Sequence, residues 1–471
     1  MSKLPLVEAL LKYHDENNII FSMPGNKCGL AFKRDEFGIE LEKRLGSLDI
    51  TEVDPLDNLH HPEGVIKESQ ELLAKTYGVK KAFFMVNGSS GGNLAAIFSA
   101  FNEGDEVLVE RNCHKSIYNG LILRKLKVTY INPVILENGV FLPPNERKIQ
   151  EALEKSKNPK GIILTNPNYF GISYKLEEII LKLKNKGLKV IVDQAHGAHF
   201  GACDELPKGI EKLADYTVVS AHKTLPALTG GAYLLVNDID SNIDFYVSTF
   251  MTTSPSYLIM ASLDYARYYL DEFAKNDYER LIEIAEKYKK KINELNKVKI
   301  IEDDYLPEGY KLDKSRYLVT LPRGYSGHKL LDYLRAKGIQ GEMSIDSLVV
   351  LILSPAHLEE DFEKLYDVIK DLNVEELKGC NTLVSYDDIE LEKVYEPFEV
   401  FNLKSELCKL EDSEGRILKE SIVPYPPGIP LICSGERISN KIINRVIELK
   451  ENGINIIGLS DTDEIKAIIQ T

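Results

Sequence analysis

The sequence predicts an α/β fold with a mostly parallel sheet covered on both faces by helices, and three observations carry that prediction. Short apolar, β-branched runs recur along the first half of the chain, at 81–86, 106–109, 128–132, 161–165, 189–192 and 216–219. Helical patterns of about ten to fifteen residues separate them, which is the rhythm of strand–helix–strand units. Polar or glycine-bearing loops follow four of these runs, and in such sheets ligands sit at the carboxyl ends of strands.

Taken in order, Val7, Leu10 and Leu11 have helical spacing and predict a helix over 6–17, with a loop beginning at Phe21 and running through Pro24-Gly25-Asn26-Lys27. Pro62 is expected to open a helix reaching Tyr77, since proline suits a first helical position. His60 and His61 stand next to each other, and adjacent side chains diverge on either regular element, so a shared ion is not expected. After the strand 81–86, Asn87-Gly88-Ser89-Ser90-Gly91-Gly92 turns into a helix ending near Phe101. A Gly/Ser loop opening a helix offers N–H groups and hydroxyls to a phosphate, although many such turns bind nothing. His114 follows the next strand, where capping a helix is its bland role. An amphipathic helix over 175–186 leads into the strand before Asp193, and another strand, 231–236, follows Lys223. A long helical stretch over 256–295 leads to a smaller region with strands at 316–321 and 347–353 and helices at 327–337 and 358–372. Charged residues over 377–396 then introduce a segment in which Pro424, Pro426, Pro427 and Pro430 fix an extended backbone. The expected division is an N-terminal segment 1–60, a large domain 61–290, a small α/β domain 291–375 and a C-terminal α+β domain 376–471.

Composition narrows the class. Hydrophobic residues make up 44% and charged residues 28% of the chain, as in ordinary globular proteins. The 58 Lys and Arg against 73 Asp and Glu give a net charge of −15, which argues against a nucleic-acid partner. No apolar run approaches the roughly 18 residues of a membrane span. No signal-peptide pattern opens the sequence, and the six scattered cysteines form no C-x-x-C pair; a cytoplasmic protein with reduced thiols is expected.

The chemistry concentrates between Asp193 and Gly231. Asp193-Gln194-Ala195-His196 ends one strand, and Ser220-Ala221-His222-Lys223 ends the next. A carboxylate and a lysine on neighbouring strand ends suit pyridoxal 5'-phosphate, which is held as an imine on Lys and faces a carboxylate at its ring nitrogen. Lys223 must be partly neutral to act as a nucleophile, so desolvation or a nearby cation should lower its pKa.

These two segments resemble the Orn/Lys/Arg decarboxylase family of fold-type I (aspartate aminotransferase-like) pyridoxal-phosphate enzymes. Asn87–Asn93, His114-Lys115-Ser116, Thr253-Ser254-Pro255 and the segment 424–430 extend the resemblance over nearly the whole chain. It implies decarboxylation of arginine, lysine or ornithine to an amine and CO2, in polyamine metabolism. It implies Lys223, His114 and His222 as catalytic groups, with His114 on the ring face and Lys223 or His222 returning a proton to Cα. Asp193, His196, Ser89, Ser90, Ser220, His222 and Thr253 join Lys223 and His114 around the cofactor, and Glu420 matches a position that reads the substrate's distal amine in some members. Thr253 would serve a neighbouring subunit, so a homodimer or higher homo-oligomer with shared active sites is implied. Relatives of the large inducible type carry an amino-terminal wing domain, which this sequence is expected to lack. Asn26 and Asn168 depart from the family's His and Thr.

Other readings compete. Ser220-x-x-Lys223 matches an acyl-transfer pattern whose partner motifs are missing. Asp193-x-x-His196-x-x-His199 can be drawn as a metal set, but its spacing suits no standard helix-borne pair, and no metal is expected. A regulatory paralogue that keeps the fold, or another pyridoxal-phosphate reaction at the α-carbon, stays open.

Overall fold

The computed structural model describes residues 3–136, 139–345, 347–379, 391–425, 428, 430–451 and 453–469. Pro426, Pro427 and Ile429 of the proline-rich segment, Cys380, and most of the charged stretch 377–396 lie outside the described residues.

Seven strands form the main sheet: β1 (Lys81–Met85), β2 (Glu106–Glu110), β3 (Lys127–Ile131), β4 (Pro159–Thr165), β5 (Lys189–Asp193), β6 (Tyr216–Val219) and β7 (Ala232–Val236). Their order across the sheet is β1-β7-β6-β5-β4-β2-β3. β7 is antiparallel to both β6 and β1, and every other neighbouring pair is parallel. All strands except β7 therefore end on one edge, which is where the candidate residues fall. Side-chain alternation sorts each strand between two cores. Val107, Val109, Ile163 and Ile191 face a core with Ile97 and Leu263. Leu108, Leu164, Val190 and Val192 face another with Ile149 and Ile180. Burial on both faces is why these runs read as continuous rather than alternating apolar sequence.

The helices Tyr257–Glu272 and Ala274–Glu294 lead to a small antiparallel sheet. It contains β8 (Lys299–Ile300), β9 (Arg316–Thr320), β10 (Met343–Ile345) and β11 (Leu348–Ile352), in the order β8-β9-β11-β10. Three expectations change here. The stretch 256–295 is two helices, because Phe273 leaves helical geometry at φ −124°. Phe21 ends a short strand, Ile19–Phe21, paired in parallel with Ile339–Gly341 as a separate two-stranded sheet, so the N-terminal segment is tied to the smaller region rather than looping away. The helix expected from Pro62 starts at Val65. Its donors go instead to Asp57, whose carboxylate accepts from the N–H groups of Glu63 (2.9 Å), Gly64 (2.8 Å) and Ile66 (2.9 Å).

The C-terminal region has its own core, with Leu418, Ile432, Ile442, Val446 and Leu449. It covers the free edge of β3 with side chains: the Glu396 carboxylate accepts from Val128 N at 2.9 Å, and Lys393 Nζ donates to Val128 O. A buried pair also fastens it, since Arg111, just past β2, donates through both Nη atoms to Glu436. Their side chains are 4% and 2% exposed. Removing one partner of such a pair strands the other charge. Glu436→Ala is therefore expected to cost about 3–5 kcal/mol in denaturant unfolding. A loss below about 1 kcal/mol would show that the pair does not hold this region in place.

Candidate active site

The carboxyl ends of β1, β2, β5 and β6 bring their loops together. Gly88 N donates to Gly230 O at 2.8 Å, so the loop after β1 is joined to the loop that follows Lys223. Both glycines adopt φ values, +73° and +96°, that side chains rarely allow. Ser89 and Ser90 lie in the first turn of the helix Gly88–Ala100 beside this junction.

Asp193 is buried at the end of β5. Its Oδ1 accepts from Ala195 N at 3.1 Å and its Oδ2 from Asn93 Nδ2 at 3.0 Å. The same Asn93 amide group donates to Ser116 Oγ at 2.9 Å, and Ser116 Oγ stands 2.8 Å from His114 Nδ1. Because Ser116 N also donates to that nitrogen (3.2 Å), Nδ1 is the acceptor and a neutral His114 carries its proton on Nε2. His114 thus caps the helix Lys115–Leu123 and also belongs to a chain of bonds ending on Asp193. Its side chain still meets solvent in the single chain, but partial burial lowers its pKa; Asp193 opposes this, and Lys223 and Lys115 add to it.

Lys223 follows β6, its Nζ 2.9 Å from His196 Nε2. Burial lowers its pKa; Asp193 and Glu342 oppose the shift and Arg316 reinforces it. His196 is buried and held neutral, its pKa pushed well below the usual range by burial and then by the charges of Lys223 and Arg316. His222 anchors its Nδ1 on Gly231 O at 2.8 Å, so the ring donates there and leaves its Nε2 lone pair available.

Several residues that sequence reasoning did not single out converge here. Arg316, at the start of β9, is fully buried with Nη2 3.3 Å from His196 Nδ1, while its Nη1 has no hydrogen-bond partner. Tyr169 lies with its ring centroid 4.8 Å from that of His196 and donates its hydroxyl to Glu342. Glu342 also accepts from Met23 N at 2.9 Å. Lys27 is buried, donating to Ser22 O and Ile352 O, and burial pushes its pKa down to about 7 against the pull of Glu342. The two family departures have local roles. Asn26 donates to Ala227 O at 3.0 Å and accepts from Gly29 N, tying the Pro-Gly turn to the segment after Lys223. Asn168 Oδ1 accepts from the N–H groups of Phe170 and Ile172, both at 3.0 Å, shaping the Tyr169 loop.

The remaining candidates fall as follows. Ser220 Oγ is buried without a partner, as is Thr224 Oγ1. Thr253 is on the surface of the single chain, just beyond the helix Ile243–Phe250, whose Phe250 O accepts from Asn87 Nδ2. Glu420 is exposed and paired with Lys466 at 2.6 Å, in the C-terminal region. His199 turns away from Asp193 to Asp313 Oδ2 (3.0 Å), and among the described residues no group of metal-ligating side chains assembles. Pyridoxal phosphate fits this donor set. A partly neutral amine suits its aldehyde, a carboxylate suits its ring nitrogen, and the unpartnered Ser220 and Thr224 hydroxyls answer the demand of a phosphate for donors.

Glu110 ends β2 beneath the site, 1% exposed, with Oε1 accepting from Thr165 N at 2.8 Å and Oε2 unpartnered. Burial pushes its carboxyl up to about 8; the Thr165 N–H opposes this and the Asp193 charge adds to it. The folded state therefore holds a proton that the unfolded chain gives up at the ordinary carboxyl value. The stability from this group is full at acid pH and is lost as pH rises through about 8. Glu110→Gln, which cannot ionise, should gain on the wild type by up to about 4 kcal/mol between about pH 5 and about pH 9 in denaturant titrations. A gap that does not change with pH would mean that Glu110 does not retain its proton.

Comparison with known proteins gives consistent matches. Residues 4–308 match the family described as Orn/Lys/Arg decarboxylase, major domain, and residues 390–456 match the C-terminal domain of the same family. The chain is 35% identical over 458 residues to a Bacillus subtilis (strain 168) protein named Uncharacterized protein YaaO, covering 94% of each chain. It is 30% identical over 474 residues to the arginine decarboxylase of Bacillus anthracis, covering 97% of this chain and 95% of that relative. The structure of the E. coli constitutive lysine decarboxylase superposes with a TM-score of 0.78 at 19% identity, over 99% of this chain and 82% of that one. At that identity the likeness bears on the fold.

Proposed function

The chain belongs to the Orn/Lys/Arg decarboxylase family, and on that premise we propose that it is a pyridoxal-phosphate enzyme removing the α-carboxyl group of a basic amino acid as CO2. The observation that carries this reading is the largely buried Lys223 amine, 2.9 Å from a neutral His196 and one strand from Asp193. When bound, pyridoxal phosphate supplies the electron sink into which the bond between Cα and the carboxyl group breaks.

The chain's own residues do the rest. Lys223 would be the attachment point, and Asp193, fixed by Asn93 and Ala195 N, would offer its carboxylate to the ring nitrogen. His114 would lie against the cofactor ring, with its proton on Nε2. Ser89, Ser90, Ser220, His222 and, from a neighbouring copy, Thr253 would hold the phosphate end. After CO2 leaves, one proton would go to Cα from Lys223 in its protonated form or from His222 once its free Nε2 has taken up that proton, since its Nδ1 is committed to Gly231 O, and the amine product would depart. A homo-oligomer with shared sites, a place in polyamine metabolism and a cytoplasmic setting belong to the same reading. So does the division at 60, 290 and 375, of which the last boundary is supported by the separate core of the C-terminal region.

For the substrate's distal cation, Glu342 is the better-supported carboxylate. It is half-buried, feels Lys223, is aimed by Tyr169 and Met23, and forms no ion pair among the described residues. Glu420, by contrast, is engaged with Lys466. Glu342→Gln should raise KM for the basic substrate by about ten- to a hundredfold, the loss of one charge-assisted bond. An unchanged KM would return that role to Glu420. The reading itself is tested by measuring CO2 release from arginine, lysine, ornithine and leucine with the cofactor-loaded protein. Release from at least one basic amino acid and none from leucine is expected, whereas no release from any basic substrate would overturn the reading.

A further inference from the structure

We propose that Arg316 is a positioning residue that acts through His196: it fixes the imidazole as the Nε2–H tautomer, so that the hydrogen bond to Lys223 is made by an uncharged amine. The inference rests on Lys223 being the reacting amine. A guanidinium only donates hydrogen bonds and does not lose its proton in a protein. Arg316 Nη2 lies 3.3 Å from His196 Nδ1 and 3.4 Å from His196 O, so Nδ1 must present a lone pair. A neutral imidazole then carries its hydrogen on Nε2. That N–H faces Lys223 Nζ at 2.9 Å. An ammonium has no lone pair to accept it, whereas an amine has one.

The fold holds Arg316 in place by means unrelated to catalysis. Its Nε is 3.4 Å from Asp313 Oδ2, and Asp313 is itself held by His199 (3.0 Å) and by the N–H of Ser315 (2.9 Å). Gly171 leaves the slot in which the arginine stem lies, since a Cβ there would meet Arg316 Cδ at 2.3 Å. The charged and titratable groups around Lys223 are His196, Arg316, Asp193 and Glu342, with His114 and His222 beside them. The two carboxylates favour the ammonium; burial and Arg316 favour the amine.

Two measurements on the full-length, cofactor-stripped protein test this. With 15N-labelled histidine, the His196 signal, assigned by its loss in His196→Gln, should show a protonated Nε2 and an unprotonated Nδ1 at neutral pH. The opposite tautomer or a doubly protonated ring would overturn the proposal. It would leave the decarboxylase reading intact, because that reading is judged by CO2 release. The second measurement follows acylation of Lys223 against pH by peptide mapping, with exposed lysines as internal reference. Arg316→Met should move the midpoint upward by about one pH unit, roughly tenfold less free amine near neutrality, while Arg316→Lys, which keeps a charged donor, should restore most of it. An unmoved midpoint in folded Arg316→Met would refute the relay. If that variant does not fold, the wild-type tautomer decides.

Discussion

Lys223→Ala is expected to abolish turnover, lowering CO2 release by at least about 10⁴-fold, while the protein stays folded. The lysine amine makes one side-chain hydrogen bond, to His196, and its side chain belongs to none of the hydrophobic cores. Removing it deletes the attachment point for the cofactor and one of the two candidate proton donors at the same atom. The stability change should stay within about 1 kcal/mol, because no cavity opens in a core and no buried charge is stranded. Circular dichroism and denaturant titration check the fold, and the CO2 assay checks the chemistry. A variant that kept activity within tenfold of the wild type would remove Lys223 from the mechanism.

Asp193→Asn should produce a different pattern. The amide is nearly isosteric and can still accept from Ala195 N, and Lys223 is untouched, so cofactor retention should largely survive. What disappears is a buried negative charge at the end of β5, in the position assigned to the ring nitrogen. Loss of one such preorganised electrostatic contact costs about 10²–10³-fold in turnover. Bound cofactor with crippled CO2 release is the expected result, read by visible absorbance and by rate. If the rate stayed normal, the carboxylate would not be serving the ring nitrogen.

The parts of this site that are legible in the sequence share one property: each sits in a contiguous motif at the end of an apolar run. Val190, Ile191 and Val192 announce a buried strand, so Asp193 is placed by its neighbours, and Tyr216–Val219 does the same for Lys223. Arg316 and Glu342 have no such signal. Each reads as an ordinary charge at the margin of a small-domain strand, and only the packing of that sheet against the loop Asn168–Gly171 brings them to His196 and Lys223. The backbone bond from Asp313 N to Gly171 O (2.9 Å) is part of that contact. A clue for Arg316 was present in Asp313-Lys314-Ser315, polar residues packed closely before an apolar run, where a buried network is the economical explanation. Asn93 was visible but looked like a polar residue inside a helix; its value comes from two donors aimed at residues 23 and 100 positions away. The Pro62 expectation failed for a similar reason. Local proline preference predicted the helix start, and a carboxylate from Asp57, outside the helix, took over the free N–H groups instead.

The most direct test of the central claim is borohydride reduction of the cofactor-loaded protein, followed by peptide mapping of the amine that becomes permanently labelled. Among the described residues, burial lowers the pKa of two lysines, Lys223 and Lys27, so the experiment discriminates. Label on Lys223 alone is the predicted result. Label on Lys27 or on a surface lysine, or no label at all, would contradict the assignment from which the proposed chemistry follows.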